Sequence, residues 1–263
     1  MTKGKERFRK FISDFYLVII LIFLYAPIFT MMVLSFNQSK SRTHWGGFTL
    51  NWYTQMFQSR AIMYALYTTL LVAMISALVA TVIGTITAIA ISHMKPVSKN
   101  IFMSISNIPM LNADIVTGIA LMLAFIAFGI SLGFKTVLIS HITFNIPYVI
   151  LSVMPKLKQT DRSTYEAALD LGASPAYAFF QVVFPDIMPG VLSGFLLAFT
   201  MSLDDFIITH FTKGAGINTL STLIYSEVRR GIRPSMYALS TVIFVVVLVV
   251  LLIANFRKQP EKD

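Results

Sequence analysis

The chain consists of long apolar stretches separated by short polar segments. A helix needs about 20 apolar residues to cross a hydrocarbon core about 30 Å thick, and six runs of this chain are long enough. The pattern therefore predicts an all-α polytopic membrane protein with about six transmembrane helices. We place the spans near residues 15–36, 62–92, 101–131, 136–155, 187–209 and 236–256.

The first apolar run follows a basic stretch but is too long for a signal-peptide core, and no small-residue cleavage site follows it. We expect it to be a retained span. The predicted organisation is a polar segment at 1–14, a single membrane domain at 15–256 that includes a polar loop at 158–186, and a tail at 257–263. A composition that is 56% hydrophobic and 13% charged agrees with a protein embedded in a lipid bilayer.

The basic residues indicate an orientation. With a cytoplasmic N-terminus, thirteen Lys and Arg residues fall in inner segments and eight in outer segments, which favours cytoplasmic N- and C-termini. This topology accounts for most of the net charge of +9, and no basic soluble face remains to suggest nucleic-acid binding. The absence of cysteine excludes disulfides, thiol catalysis and cysteine-ligated metals.

The polar loop at 158–186 is longer than an ordinary connection, and its sequence predicts a helix-turn-helix. Asp161 or Ser163 can cap a first helix, Gly172 permits a turn, and Pro175 suits the first turn of a second helix. The alternative is an amphipathic linker lying in the membrane interface. Its lipid-facing residues would be Phe179, Phe180 and Val183.

The sequence EAALDLGAS at 166–174, with a proline at 185, resembles the EAA loop of importer-type ABC permeases. Four further segments are similar to the spermidine/putrescine permease subunits of that family. They are HWGGFTLNWY at 44–53, NIPMLNADIVTG at 107–118, HITFNIPYV at 141–149 and SLDDFIITHF at 202–211. The resemblance extends over nearly the whole chain and implies the type I ABC importer permease fold.

The resemblance also implies a role for the loop in coupling to a nucleotide-binding subunit. The coupling residues would be Glu166, Ala167, Ala168, Gly172 and Pro185. The implied partners are a sister permease subunit, two ATPase subunits and an external solute-binding protein, in a bacterial inner membrane. The chain has no G-x-x-x-x-G-K-[ST] loop, so we expect no catalytic residues and no cofactor here, with ATP and Mg on the partner ATPase.

Acidic residues in the predicted spans point to the solute. A charge in the hydrocarbon region is costly and usually functional, and no Lys or Arg lies in the middle of a span to neutralise these carboxylates. We expect a small cationic solute such as a polyamine, whose ammonium groups need carboxylates and whose methylenes need aromatic or apolar walls. The candidate carboxylates are Asp114, Asp204 and Asp205, and the candidate walls are Trp45, Tyr148, Phe206 and Tyr225.

Each aspartate could instead cap a helix, hydrogen-bond to a neighbouring span or pair with a sister subunit. Pro109 and Pro147 are candidate helix breaks that expose backbone to an aqueous path, or else simple kinks. For Glu227, beside several arginines, we favour a surface salt bridge or contact with the binding protein. The four histidines show no metal-binding spacing, so no metal site is expected.

Three other functions remain open at this level. The EAA loop is shared by permeases for iron, sulfate, thiamine and other solutes, and nothing separates spermidine from putrescine. Membrane carboxylates would also suit an ion-coupled secondary transporter. Asp114 with Asp204 or Asp205 could form the pair of an intramembrane aspartyl hydrolase. Neither of the last two explains the helix-turn-helix.

Overall fold

The computed structural model describes the backbone of residues 3–256, and the side chains of residues 15–249 except Arg162, together with Leu252. The described part is helical, and its only extended pairing is an isolated bridge between Asn37 and Phe48. The predicted all-α fold is confirmed. The helices are α1 (Lys3–Ser35), α2 (Asn51–Gln58), α3 (Arg60–Ser92), α4 (Pro96–Leu111), α5 (Asp114–Ala127), α6 (Phe134–Gln159), α7 (Arg162–Asp170), α8 (Pro175–Ala178), α9 (Phe184–Asp204), α10 (Ile207–Thr212), α11 (Leu220–Arg230) and α12 (Pro234–Phe256).

Four helices in the described residues are long and apolar enough to cross a membrane. They lie at Phe15–Ser35, Arg60–Ser92, Phe134–Gln159 and Pro175–Asp204. α4 and α5 make a fifth span if the bent pair crosses as one, and Pro234–Val249 is a shorter apolar helix. Every one of the six predicted spans is therefore largely helical, but not every one is a straight span.

The predicted span at 101–131 is broken close to Pro109, one of the two candidate helix breaks. α4 and α5 meet at an angle of 102°, and Asn112 and Ala113 between them have extended backbone conformations. Pro109 lies two residues before the end of α4, where its missing N–H weakens the last turn. By contrast, α6 runs unbroken through Pro147, so the predicted break at that position is not present. A proline's fixed φ is compatible with a helix, and only one backbone donor is lost.

The fifth predicted span, 187–209, is also divided. α9 ends at Asp204, Asp205 has a non-helical ψ of 123°, and α10 begins at Ile207. At its other end this helix starts earlier than predicted. α8, a π-helical turn at Phe179–Val183 and α9 form one apolar helix from Pro175 to Asp204.

The chain divides into two compact units, residues 1–63 with 226–263 and residues 64–225. In the first, α12 packs against α1 and α2. The loop after α1 is ordered by Asn37, whose side chain donates to the carbonyl of His44 at 2.8 Å and whose own carbonyl accepts from the Trp52 indole at 2.7 Å. α1 continues through the predicted division at residue 14, and the predicted tail at 257–263 lies outside the described residues.

The second unit is centred on α6 and α9, with α3 packed beside them. Its core contains small buried side chains, among them Ala77, Ala80 and Ala198. Small residues let membrane helices approach closely. At Gly84, for example, an added Cβ would lie 2.7 Å from the Cβ of Val149.

Candidate functional site

The α7–α8 segment (Arg162–Ala178) forms the predicted helix-turn-helix, which is thereby confirmed. Asp161 caps α7 by accepting a hydrogen bond from the Ser163 amide at 2.9 Å, and this bond lowers the pKa of the Asp161 carboxyl. Gly172 makes the turn with a φ of 88°, a conformation that favours glycine. Ser174 caps α8, in which Pro175 is the first residue.

The predicted coupling residues lie on or beside this segment. Glu166 and Ala167 are exposed on α7, and Ala168 is half-buried. Leu171, which sequence reasoning did not single out, is 89% exposed at the turn. Pro185 is the second residue of α9. An exposed leucine beside an open glycine turn is suited to contact with another protein surface.

A cavity of about 510 Å³ lies behind the α7–α8 segment. Its walls come from the ends of α3 and α6, the start of α4, α7 and the π-helical turn. They include Ile89, His93, Lys99, Leu157, Lys158, Tyr165, Glu166, Phe179 and Val183. The segment is therefore supported on one side by two long helices and is not packed solidly against them.

At the opposite end of α9, Asp205 holds the junction with α10. Its carboxylate accepts from the amides of Ile208 at 3.2 Å and Thr209 at 2.8 Å, and from the Thr209 hydroxyl at 2.8 Å. These are first-turn donors of α10, which have no partner within the helix. The Asp205 carbonyl accepts from the Ser221 hydroxyl at 2.6 Å. Of the alternatives for this aspartate, helix capping is therefore present in the structure.

His141 connects this cap to α6 and α3. Its Nε2 atom lies 2.8 Å from the Thr209 hydroxyl and 3.4 Å from the Asp205 carboxylate, and its Nδ1 atom lies 2.6 Å from the Ser202 hydroxyl. Ser76 donates to Ser202 at 3.1 Å. Thr209 donates its hydroxyl proton to Asp205, so the Thr209 oxygen can accept from His141. An imidazole with its proton on Nε2 then donates to Thr209 and accepts from Ser202 at Nδ1, so every donor has an acceptor. We call this set the Asp205 network (Asp205, Thr209, His141, Ser202 and Ser76).

Sequence reasoning missed His141, because a lone histidine in an apolar run gives no spacing signal. The available hint was the recurrence of polar residues on one face of α6. The polar positions on α6 are spaced by four, three and four residues, at His141, Asn145, Tyr148 and Ser152. Such intervals place all four side chains on one stripe of a helix.

The other predicted carboxylates are exposed. Asp114 is the first residue of α5, directly after the α4–α5 bend. Tyr148 lies on α6, where its ring meets Phe144 edge-on with centroids 6.5 Å apart. Asp204 is the last residue of α9. Within the described residues, neither carboxylate accepts a hydrogen bond or forms an ion pair.

The predicted aromatic residues fall into separate places. Phe206 and Tyr225 are in contact, with ring centroids 4.5 Å apart, and His210 lies 5.2 Å from the Phe206 ring. The structure thus brings two candidate walls together beside the α9–α10 junction. Trp45 is 51% exposed in the loop of the first unit. Glu227 pairs with Arg233, as predicted, but its carboxylate is buried and only Arg233 is exposed.

The described residues form a multi-pass helical protein. An exposed helix-turn-helix precedes α9, and the junction capped by Asp205 follows it. Residues 80–257 match the family model described as "Binding-protein-dependent transport system inner membrane component". The chain belongs to this family, so it is an inner-membrane permease of the ABC importer class.

Its relatives over nearly the full length are named as polyamine permeases. The chain is 38% identical over 266 residues to the putrescine transport system permease protein PotI of Escherichia coli, covering 95% of both chains. It is 34% identical over 247 residues to the spermidine/putrescine transport system permease protein PotC of Haemophilus influenzae, covering 94% of this chain and 96% of the relative.

Solved structures confirm the fold. A bacterial ABC transporter involved in the import of the acidic polysaccharide alginate superposes with a TM-score of 0.75 at 18% identity, covering 97% of this chain and 96% of that one. The MetNI methionine ABC transporter gives a TM-score of 0.59 at 17% identity, covering 76% of this chain and 96% of that chain. The predicted type I permease fold is therefore confirmed.

Proposed function

We propose that this chain is a membrane subunit of an ATP-driven importer of polyamines. The observation that carries the substrate class is the full-length similarity to relatives named as putrescine and spermidine/putrescine permeases. The exposed carboxylates of Asp114 and Asp204 fit a solute that carries more than one ammonium group. Phe206 with Tyr225 supplies aromatic surface for the methylenes and cations, and Tyr148 on α6 is a further candidate.

Transport requires a path for force from the ATPase to the solute pathway. We place the N- and C-termini and the α7–α8 segment on the cytoplasmic side, where two ATPase subunits bind it and carry ATP and Mg. α7 follows α6 after a two-residue connection, and α8 continues through the π-helical turn into α9. A displacement of the segment therefore moves two long helices at once.

The two helices are held together along their length. An added Cβ at Gly190 would lie 2.9 Å from the Lys156 side chain, and one at Gly194 would lie 3.3 Å from Val149 and Ser152. At the other end, His141 of α6 bonds to Ser202 of α9. We infer that α6 and α9 tilt as one body when the ATPase subunits close around ATP, which changes access at the α9–α10 junction.

The remaining partners complete the assembly. A sister permease supplies the other half of the pathway, and an external binding protein delivers the solute. Solved neighbours include an alginate ABC transporter "in complex with alginate pentasaccharide-bound periplasmic protein", which supports an importer assembly of this general kind.

The coupling step is tested by ATP hydrolysis in the reconstituted complex. Spermidine-loaded binding protein should stimulate ATPase activity in the parent complex and not in Gly172→Val, because a β-branched residue is strained at a φ of 88°. Gly129→Val, with a φ of 68° in another turn, is the matched control. Equal stimulation in the Gly172 variant would refute the coupling role. Stimulation only by a binding protein loaded with another solute would refute the polyamine assignment and leave the permease class intact.

A further inference from the structure

The fifth apolar span is broken at Asp205, and His141 bonds to the helix on each side of that break. The Nδ1 atom of His141 lies 2.6 Å from the hydroxyl of Ser202, which is on α9, three residues before Asp205. Its Nε2 atom lies 2.8 Å from the hydroxyl of Thr209, which is on α10, four residues after Asp205. One planar, buried ring therefore joins the two helices across a non-helical residue.

The short helix α10 is attached to α6 at both of its ends. Toward its start, Thr209 bonds to His141. At its end, the Thr212 carbonyl accepts a hydrogen bond from the Thr136 hydroxyl at 2.7 Å. His141 and Thr136 both lie on α6. Because a helix of six residues has little stability of its own, we infer that α6 sets the position of α10.

The cap formed by Asp205 does not hold the angle of the break by itself. Its carboxylate bonds to the amides of Ile208 and Thr209, which both belong to the α10 side. These bonds fix the start of α10 but not its direction relative to α9. The fixed point on α9 is Ser202, which also accepts a hydrogen bond from Ser76 of α3 at 3.1 Å.

The break carries an aromatic pair on its surface. Phe206 lies between Asp205 and the first residue of α10, and its ring centroid is 4.5 Å from that of Tyr225 on α11. The start of α11 is bonded to the break as well, because Ser221 donates to the Asp205 carbonyl at 2.6 Å. Tyr225 follows Ser221 by one helical turn. The contact between the two rings therefore depends on the angle at which the break is held.

We propose that His141 is a positioning residue of the solute pathway, which holds the break between α9 and α10 at one angle and so keeps Phe206 against Tyr225. This role presupposes the proposed import of polyamines, in which the aromatic pair contacts the ammonium groups and methylenes of the solute. His141 itself is buried and does not contact the solute. Loss of the bond on either side releases the angle, because the ring joins the two helices only while both nitrogens are bonded.

Two substitutions remove the link from opposite sides. His141→Phe keeps a planar ring and removes both nitrogens, whereas Thr209→Val removes only the hydroxyl on α10. In each variant we expect spermidine uptake per hydrolysed ATP to fall about tenfold, the factor that corresponds to about 1.4 kcal/mol of lost hydrogen bonding. The double variant should lose no more than either single variant, because both changes break the same link.

ATP hydrolysis stimulated by the loaded binding protein should be retained in these variants. The close contacts of α9 with α6 at Gly190 and Gly194 do not involve the imidazole, so the connection from the α7–α8 segment stays intact. A fall in uptake without a fall in hydrolysis distinguishes a misplaced pathway from a complex that is merely less stable.

Val137→Ala is the matched control for lost stability. Val137 is 0% exposed on α6, one turn before His141, and its truncation leaves a cavity in the core without changing any bond at the break. We expect a lower unfolding midpoint and unchanged uptake per hydrolysed ATP. The measurements are uptake of labelled spermidine and ATP hydrolysis in the same proteoliposomes, with thermal unfolding of each complex.

The proposal is overturned if His141→Phe transports as much spermidine per hydrolysed ATP as Val137→Ala, or if the losses in His141→Phe and Thr209→Val add in the double variant. If His141→Phe does not assemble, the same comparison is made with Thr209→Val. If the parent transports no polyamine, the proposed function fails, and electron microscopy of the Thr209→Val complex decides the positioning role. A Phe206 ring that stays 4.5 Å from the Tyr225 ring overturns that role, and a displaced ring supports it.

Discussion

Replacing Asp205 separates its role as a helix cap from its predicted role in the solute pathway. Asp205→Ala removes the carboxylate that accepts from the buried amides of Ile208 and Thr209 and from the Thr209 hydroxyl. Loss of a cap costs about 0.5–2 kcal/mol, and a buried donor left unpaired costs about 1–3 kcal/mol. We therefore expect Asp205→Ala to destabilise the second unit by about 2–4 kcal/mol.

Asp205→Asn is the informative partner variant. Asparagine keeps one carbonyl oxygen for Thr209 but turns its NH2 group toward the Ile208 amide, so we expect it to cost about 1–3 kcal/mol and less than Asp205→Ala. It removes the negative charge. The assay is thermal unfolding of the purified complex, measured together with uptake of labelled spermidine. Asp204→Asn is the matched control for the unfolding measurement alone, because Asp204 is exposed and makes no capping bond in the described residues.

The two measurements have distinct outcomes. If Asp205→Asn loses uptake but keeps its stability, the charge of Asp205 acts in the solute pathway. If the variant keeps its uptake, the role of Asp205 is limited to capping. If Asp205→Ala unfolds at the same temperature as the parent, the capping argument is refuted. Loss of uptake in Asp204→Asn without a change in stability would support the pathway role of that exposed carboxylate.

Three further predictions concern other parts of the molecule. Leu171→Ser should reduce copurification of the ATPase subunits without changing the unfolding midpoint, since Leu171 is 89% exposed; unchanged copurification would contradict a docking role. Gly84→Val should destabilise the second unit by about 1–3 kcal/mol in denaturant unfolding, because even its Cβ would meet Val149 at 2.7 Å. The Arg233 guanidinium lowers the pKa of Glu227. Their pair therefore stabilises the fold fully at pH values above the ordinary glutamate pKa of about 4.3. This stabilisation is lost as the pH falls through the lower pKa of the folded state. Glu227→Gln should flatten the fall in unfolding midpoint between about pH 5 and pH 3, and an unchanged acid profile would contradict the pair's role.

Local signals predicted the α7–α8 segment well. A capping aspartate, a glycine turn and a proline at the first position of the second helix each act within a few residues, so the sequence contains the information directly. The candidate break at Pro109 falls close to the real break between α4 and α5, but the sequence did not give its position or its angle. Hydropathy averaged over the apolar run 101–131 does not reveal that Asn112 and Ala113 are extended. The sequence therefore places Asp114 within the third predicted span, and the structure shows that it is the first residue of α5.

The Asp205 network was less accessible to sequence reasoning because its members come from distant positions. Ser76, His141 and Ser202 meet only after α3, α6 and α9 pack together. Periodicity shows that His141 shares a face with Asn145, but it cannot show which helix covers that face. The prediction that Asp205 is functional rests on its charge within an apolar run. The structure adds a capping role, which is one reason for an aspartate at this position.

We propose that this chain is part of a complex that imports polyamines with energy from ATP. The most direct measurement is uptake of labelled putrescine and spermidine by proteoliposomes containing the complete complex and its binding protein. Our account predicts uptake that requires ATP hydrolysis inside the compartment corresponding to the cytoplasm and that is lost when the binding protein is omitted. Polyamine uptake that proceeds without ATP, or a complex that hydrolyses ATP only in response to a different solute, would contradict it.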